Sequence, residues 1–198
     1  MTKTNGCRRA TRAVAGAALV AAFMAVFYTA PAHAEQIGVQ DDVAKTYTVT
    51  VASGQTVTLS DEDAAALLAL DAGYTFVKAG TGKLVVSNQI ASFARPIVIT
   101  NGTYEATSSN ALGVGGEGAE TYVRTGASLC IYSKTANSVT FTGETISIAG
   151  GGYNDKGALY SRSGTTEQLY LLSKTSVFVL EADAAICGDN IGFNGGKA

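Results

Sequence analysis

The chain has 198 residues, with fourteen Lys/Arg, sixteen Asp/Glu, one histidine and no tryptophan. Four of the basic residues precede the first acid, Glu35, so the chain beyond residue 34 carries ten Lys/Arg against sixteen Asp/Glu, a net charge of −6 that argues against nucleic acid or an anionic surface as a partner. The only histidine is His33, so a product cut behind it has no imidazole for Ser-His-Asp or Cys-His catalysis, nor for a zinc site using His.

Residues 1–34 read as a secretory signal peptide. Lys3, Arg8, Arg9 and Arg12 give a basic start, Ala13 to Tyr28 is an unbroken apolar and small-residue run, and "APAHA" places small residues before a cut between Ala34 and Glu35. The run is short for a bilayer span, which needs about 20 residues. Arg8-Arg9 lacks the bulky apolar pair of a twin-arginine signal, and Cys7 precedes the apolar run, where no lipoprotein cysteine stands. The expected product, residues 35–198, suits one domain with a real core.

Behind the leader come short runs rich in β-branched and aromatic residues, bounded by Gly, Asn and Ser: "TYTVTV", "KLVVS", "PIVIT", "SLCIYS", "SVTFTGETISIAG" and "LYLLSKTSVFVL". This is a strand-and-turn signature. One segment differs. "SDEDAAALLALDAG" offers Ser60 as N-cap, Asp63 three residues on, and Gly73 as a stop, which predicts a helix of about three turns. Its acids are accounted for by the helix dipole. "TNGT", Thr100 to Thr103, is the best candidate for a hairpin turn.

Glycine turns leading into strands recur. "ASGQTVTL" and "RTGASLCI" share one pattern around Gly54 and Gly126, "GTGKLVV" around Gly82 is a contracted version, and "RSGTTEQLYL" an expanded one. Period-two alternation points Val57, Leu59, Leu129 and Ile131 inward, and Thr58 and Cys130 outward. Unequal spacings between the glycines fit irregular rungs of about 20–25 residues, and so an all-β solenoid of stacked strands. A sandwich with hairpins is the rival, though two-residue hairpin turns of the Asn-Gly kind are few.

"FVKAGTGKLVVSN", then "RPIVITNGTYEATSSNALG" and "TYVRTGASLCI", resembles the autotransporter-associated β-strand repeat: a lysine-plus-glycine turn, a Leu-containing strand, a "GTY" strand, an "ALG" loop and a "GA-x-L" strand. The resemblance runs from about Tyr74 to the C-terminus, with Lys83 where the family often has Thr. It implies an all-β, right-handed parallel β-helix, here with one short N-terminal helix, on an exported surface protein. "GDNIGFNGGKA" ends on a turn without an amphipathic cap. The expectation is therefore a chain that continues into further rungs or a membrane barrel, or one that stacks on a partner. Alone, it would associate edge to edge.

The glycine loops do not read as nucleotide sites. A phosphate loop needs a glycine at position 77, where Val77 stands, and Ser or Thr at position 84, where Leu84 stands. Gly113, Gly115 and Gly118 satisfy Gly-x-Gly-x-x-Gly but lack the strand before and the helix after. Glu181 and Asp183, two apart on one strand with Phe178, Leu180 and Ala182 alternating inward, are a solvated face before they are a calcium site. Arg124 and Arg162 are not set apart from other surface arginines. Tyr104, Tyr122, Tyr132, Tyr153, Tyr160 and Tyr170 suit stacking or partial burial ahead of a sugar platform. Cys130 and Cys187 are expected to be free thiols, about 10 Å apart even when aligned.

No catalytic residue, cofactor or metal is assigned. The leading expectation is an exported structural or adhesive protein, not an enzyme. It would act at the cell surface, associated with an outer membrane or outside the cell, against a cell-surface or matrix component such as a glycan. The alternatives are a secreted carbohydrate-binding module and a polysaccharide lyase.

Overall fold

The computed structural model describes residues 37–133, 139–163, 169–172, 175–188 and 191–193. The leader with its Ala34–Glu35 cut, the interior of "RSGTTEQLYL" and most of the closing "GDNIGFNGGKA" lie outside them. Strand β1 (Gly38–Asp41) turns back antiparallel onto β2 (Thr46–Thr50). The Asp41 carboxylate holds that turn by accepting the N–H groups of Val43 and Ala44 at 2.9 and 2.8 Å. Next come β3 (Thr56–Thr58), helix α1 (Asp61–Ala69), β4 (Thr75–Ala79), β5 (Lys83–Val86), β6 (Ile97–Ile99) and β7 (Gly102–Ala106). They are followed by β8 (Thr121–Val123), β9 (Ala127–Ser133), β10 (Thr145–Gly150) and β11 (Leu159–Ser163). The last are β12 (Leu169–Leu172), β13 (Val177–Ala184), β14 (Ile186–Gly188) and β15 (Ile191–Phe193).

From β2 to β11, successive strands fall alternately in two sheets, parallel to their neighbours in each. The seven-stranded sheet runs β1-β2-β4-β6-β8-β10-β13, the six-stranded sheet β14-β11-β9-β7-β5-β3, and β12 pairs with β15 separately. The expected all-β, right-handed parallel β-helix is corrected by this arrangement. Among the described residues the fold is mixed α/β: two large, mostly parallel sheets, a separate two-stranded pair, an antiparallel edge strand, and one α-helix that contributes Asp63, Ala64 and Leu67 to the interior. The physical reason is that period-two alternation reports which face of a strand is apolar. It carries no information on which strand lies alongside or how many sheets result. The "TNGT" segment likewise makes no hairpin, because β6 and β7, which flank it, belong to different sheets.

The core lies between the sheets. Inward residues alternate along β4 and β5, with Phe76, Leu84 and Val86 fully buried. Phe76 meets the rings of Tyr47, Phe93 and Tyr104 at centroid distances of 6.4, 6.2 and 6.3 Å. Tilted pairs of this kind add about 0.5–1.5 kcal/mol each beyond area burial.

Ser60 caps α1 as the sequence predicts. Its hydroxyl accepts the Asp63 N–H at 3.0 Å and donates to the Asp63 carboxylate at 2.8 Å. The helix stops at Ala69 with Leu70 as C-cap, three residues short of Gly73. Two further corrections concern side-chain direction. Cys130 does point away from the intersheet core, yet it is buried. On β13, Leu180 is 62% exposed instead of inward. Leu180 is still in register opposite Ile148, but β13 is the end strand of its sheet and no further described strand covers it. Beyond Leu180 the pairing slips, with Gly150 opposite Ala184, so three residues of β13 bulge against one and Ala182 is exposed too.

Candidate functional site

Strand β7 is buried along its whole length, which a strand facing water on one side is not. Tyr104 and Ala106 face the core. On the other face Thr103 and Glu105 are covered, Glu105 being only 3% exposed. The cover is ionic. Arg162 on β11 donates from Nε at 2.9 Å and from Nη2 at 2.7 and 2.8 Å to the two Glu105 oxygens, and Lys83 on β5 reaches the same carboxylate at 3.0 Å. The Arg162 guanidinium also lies 3.8 Å from the centroid of the Tyr132 ring, a cation–π contact. Strand register makes this possible: Val85, Glu105, Cys130, Tyr160 and Cys187 stand in one row across five neighbouring strands, with Arg162 beside Tyr132.

Above this row lies an open groove of about 420 Å³. Gly54, Gln55 and Thr56 form one side, Thr81, Gly82, Lys83 and Thr103 continue it, and Tyr153, Asn154, Lys156, Tyr160 and Arg162 form the other. The second wall includes the tight loop between β10 and β11. Asn154 and Asp155 there adopt left-handed conformations at φ 53° and 55°, which is costly for residues with side chains. Buried Ser128 holds the loop, accepting from Tyr153 N–H at 2.8 Å and donating to the Gly157 carbonyl at 2.7 Å. Gly152 permits the closure at φ 84°, since a Cβ there would sit 2.0 Å from the Gly157 oxygen.

The groove is cationic. Lys83, Lys156 and Arg162 face it, with Glu105 the acid beneath, and Lys156 has no ion pair among the described residues. Burial pushes the Cys130 thiol up to about 11 and raises the Tyr160 hydroxyl further above its ordinary range, so both are protonated at neutral pH. Glu105, gripped on both oxygens, cannot act as a base without surrendering those bonds. Among the described residues no group of three or more His, Cys, Asp or Glu is placed to hold a metal.

"GTGK" has the opposite polarity to a phosphate loop. Fully buried Lys78 turns its ammonium into the loop and donates to the carbonyls of Gly80, Gly82 and Asn101 at 2.6, 2.7 and 2.7 Å. Burial lowers its pKa to about 8, so the group remains an ammonium at pH 7. Carbonyls face inward where a phosphate would require N–H groups.

Of the turn glycines, Gly54 and Gly82 line the groove, whereas Gly126 opens β9 outside it at φ 84°. Arg162, Tyr153 and Tyr160 belong to the groove, and Tyr132 supports it. Tyr104 is interior, with its hydroxyl on the Ala111 carbonyl at 2.6 Å. Arg124 is elsewhere, over the Tyr122 ring and paired with Glu181 at 2.7 Å. Asp183 is exposed on the β13 bulge. The side chain of Tyr170 lies outside what is described. Sequence reasoning missed Glu105, Lys83 and Lys156 as groove residues. A signal existed, since Gly82 and Gly102 stand at equivalent positions, but β9 is offset by one, with Ala127 and not Gly126 opposite Gly102.

Comparison of the chain with protein-family models, curated proteins and solved structures finds no match in any of the three.

Proposed function

We propose that the chain is an exported structural and adhesive protein acting at the cell surface or outside the cell, similar in role to an autotransporter passenger segment, with the cationic groove as its contact surface. The groove carries the reading: a polar, open site whose buried acid is neutralised by fixed cations and whose buried thiol and half-buried phenol are protonated. The basic, apolar and small-residue layout of residues 1–34 supports export. The test is expression of the full chain in a bacterial host, with N-terminal sequencing, protease shaving of intact cells and adherence to immobilised matrix. Expected are a product beginning at Glu35, cleavage by external protease, and adherence reduced by the substitution Lys156→Ala. Retention of the uncut chain in the cytosol would sink the export half. Release of unsaturated or hydrolysed sugars from a polysaccharide would replace the adhesive half with an enzyme.

A further inference from the structure

We propose that the groove binds a polysaccharide bearing carboxylates, a uronic-acid glycan, in preference to a neutral one. This rests on the reading of the groove as the contact surface and names its ligand class. Three observations carry it.

The first is charge. Glu105 is satisfied by Arg162 and Lys83 together, so three cations stand over one acid and the groove is left with an excess of two positive charges. That excess sits on a chain whose net charge beyond residue 34 is −6. Cations clustered in a concave site against the net charge of the molecule select an anionic ligand locally.

The second is preorganisation. Tyr132 and Glu105 fix the Arg162 guanidinium through its face, Nε and Nη2, while Nη1 has no partner among the described residues. Lys156 is carried by the loop that Ser128 clamps. The Arg162 guanidinium therefore does not have to be ordered when ligand arrives, which lowers the entropic cost of binding, whereas for Lys156 only the backbone that carries it is fixed.

The third is the lining between the cations. Thr56, Thr81, Thr103, Gln55 and Asn154 present hydroxyls and amides, and the half-buried Tyr153 and Tyr160 flank them. A bare inorganic anion accepts from only a few of these donors at once and leaves the rest of the lining unused. A nucleic acid strand draws its affinity from neutralising many phosphates, which two surplus charges on an acidic molecule do not provide. Sugar rings with spaced carboxylates use both the hydroxyl lining and the two cations.

The test titrates the full exported chain with a short oligogalacturonate and with its fully methyl-esterified form, which keeps rings and hydroxyls but removes the charges. Inorganic phosphate and a single-stranded oligonucleotide serve as competitors. Lys156→Ala is the main variant, because its exposed side chain has no hydrogen-bond or ion-pair partner among the described residues. Arg162→Lys, which keeps a charge over Glu105, is the second. The acid form should bind at least about tenfold tighter than the ester, and each variant should lose about five- to tenfold, the net scale of one ordinary hydrogen bond, with Tm unchanged for Lys156→Ala. Equal binding of acid and ester, phosphate competing as well as the oligosaccharide, or tighter binding of the oligonucleotide would each overturn the ligand class. If the ligand class fails while Lys156→Ala still lowers adherence of the whole chain, the adhesive groove stands with another ligand. If Lys156→Ala changes neither, the groove is not the contact surface.

Discussion

Two buried ionisable side chains show how differently the same interior treats charge. The Lys78 ammonium spends its donors on three carbonyls, so its burial is compensated. Glu144 is 2% exposed, and its Oε2 has no hydrogen-bond partner among the described residues. Burial raises its pKa from 4.5 to about 7. The folded chain therefore binds more protons than the unfolded chain between pH 4.5 and 7, and stability falls as pH rises through that window. The full effect is about 3 kcal/mol at most, reached above pH 7. Glu144→Gln removes the titration, so chemical denaturation from pH 4.5 to 8 should show the variant gaining on the wild type by up to that amount. Parallel pH profiles for the two proteins would mean that Glu144 does not ionise in isolation. Lys78 titrates higher, so the two contributions separate along the pH axis. Neither environment was legible in the sequence. Lys78 was readable as part of a lysine-plus-glycine turn, but Asn101, which completes its shell, is 23 residues away.

At the scale of the element, α1 separates what local sequence specifies from what it leaves open. Its start is written within three residues: Ser60 and Asp63 exchange hydrogen bonds in a reciprocal cap. Its end is not local. Arg95 donates to the carbonyls of Leu67, Leu70 and Asp71 at 2.7, 2.6 and 2.6 Å. A cation at a helix C-terminus meets the negative end of the dipole, and this one closes the helix before Gly73 can. Asp63 does more than cap. Its Oδ1 accepts the N–H groups of Ile37 and Gly38 at 2.9 and 3.1 Å and the Tyr47 hydroxyl at 3.1 Å, binding the helix to β1 and β2. Ser60→Ala should therefore cost about 1 kcal/mol, whereas Asp63→Ala should cost about 3 kcal/mol, by leaving backbone donors without their acceptor. Denaturation midpoints measure both, and hydrogen exchange at Ile37 and Gly38 locates the loss. Equal costs for the two substitutions would show that the tether contributes nothing beyond the cap.

Across the whole molecule, the strands and the turn glycines were largely readable, because side-chain alternation and glycine's conformational freedom are properties of a few adjacent residues. The sheets were not, since neighbours in a parallel sheet come from distant sequence. The groove was lost with them, because Lys83, Glu105 and Arg162 meet only through register. The two cysteines turn that register into a measurement. Cys130 and Cys187 both lie opposite Tyr160, on strands flanking β11. Two strand spacings put their Cα atoms about 9.6 Å apart, beyond the ~7 Å a disulfide spans, and both thiols are free. Their surroundings differ: Cys187 is exposed, while Cys130 is buried with its thiol pushed up to about 11. At pH 8 that leaves Cys130 about a hundredfold less thiolate than an ordinary cysteine, before any steric protection. Alkylation of the native full chain, resolved by peptide mass mapping, should mark Cys187 at the rate of an open thiol and leave Cys130 at least a hundredfold slower. Past the unfolding midpoint in urea the two rates should converge, so that Cys130 reports opening of the six-stranded sheet. Equal native rates, or a disulfide between the two after oxidation, would place them on different strands from those described, and the ionic row beneath the groove would fall with that order.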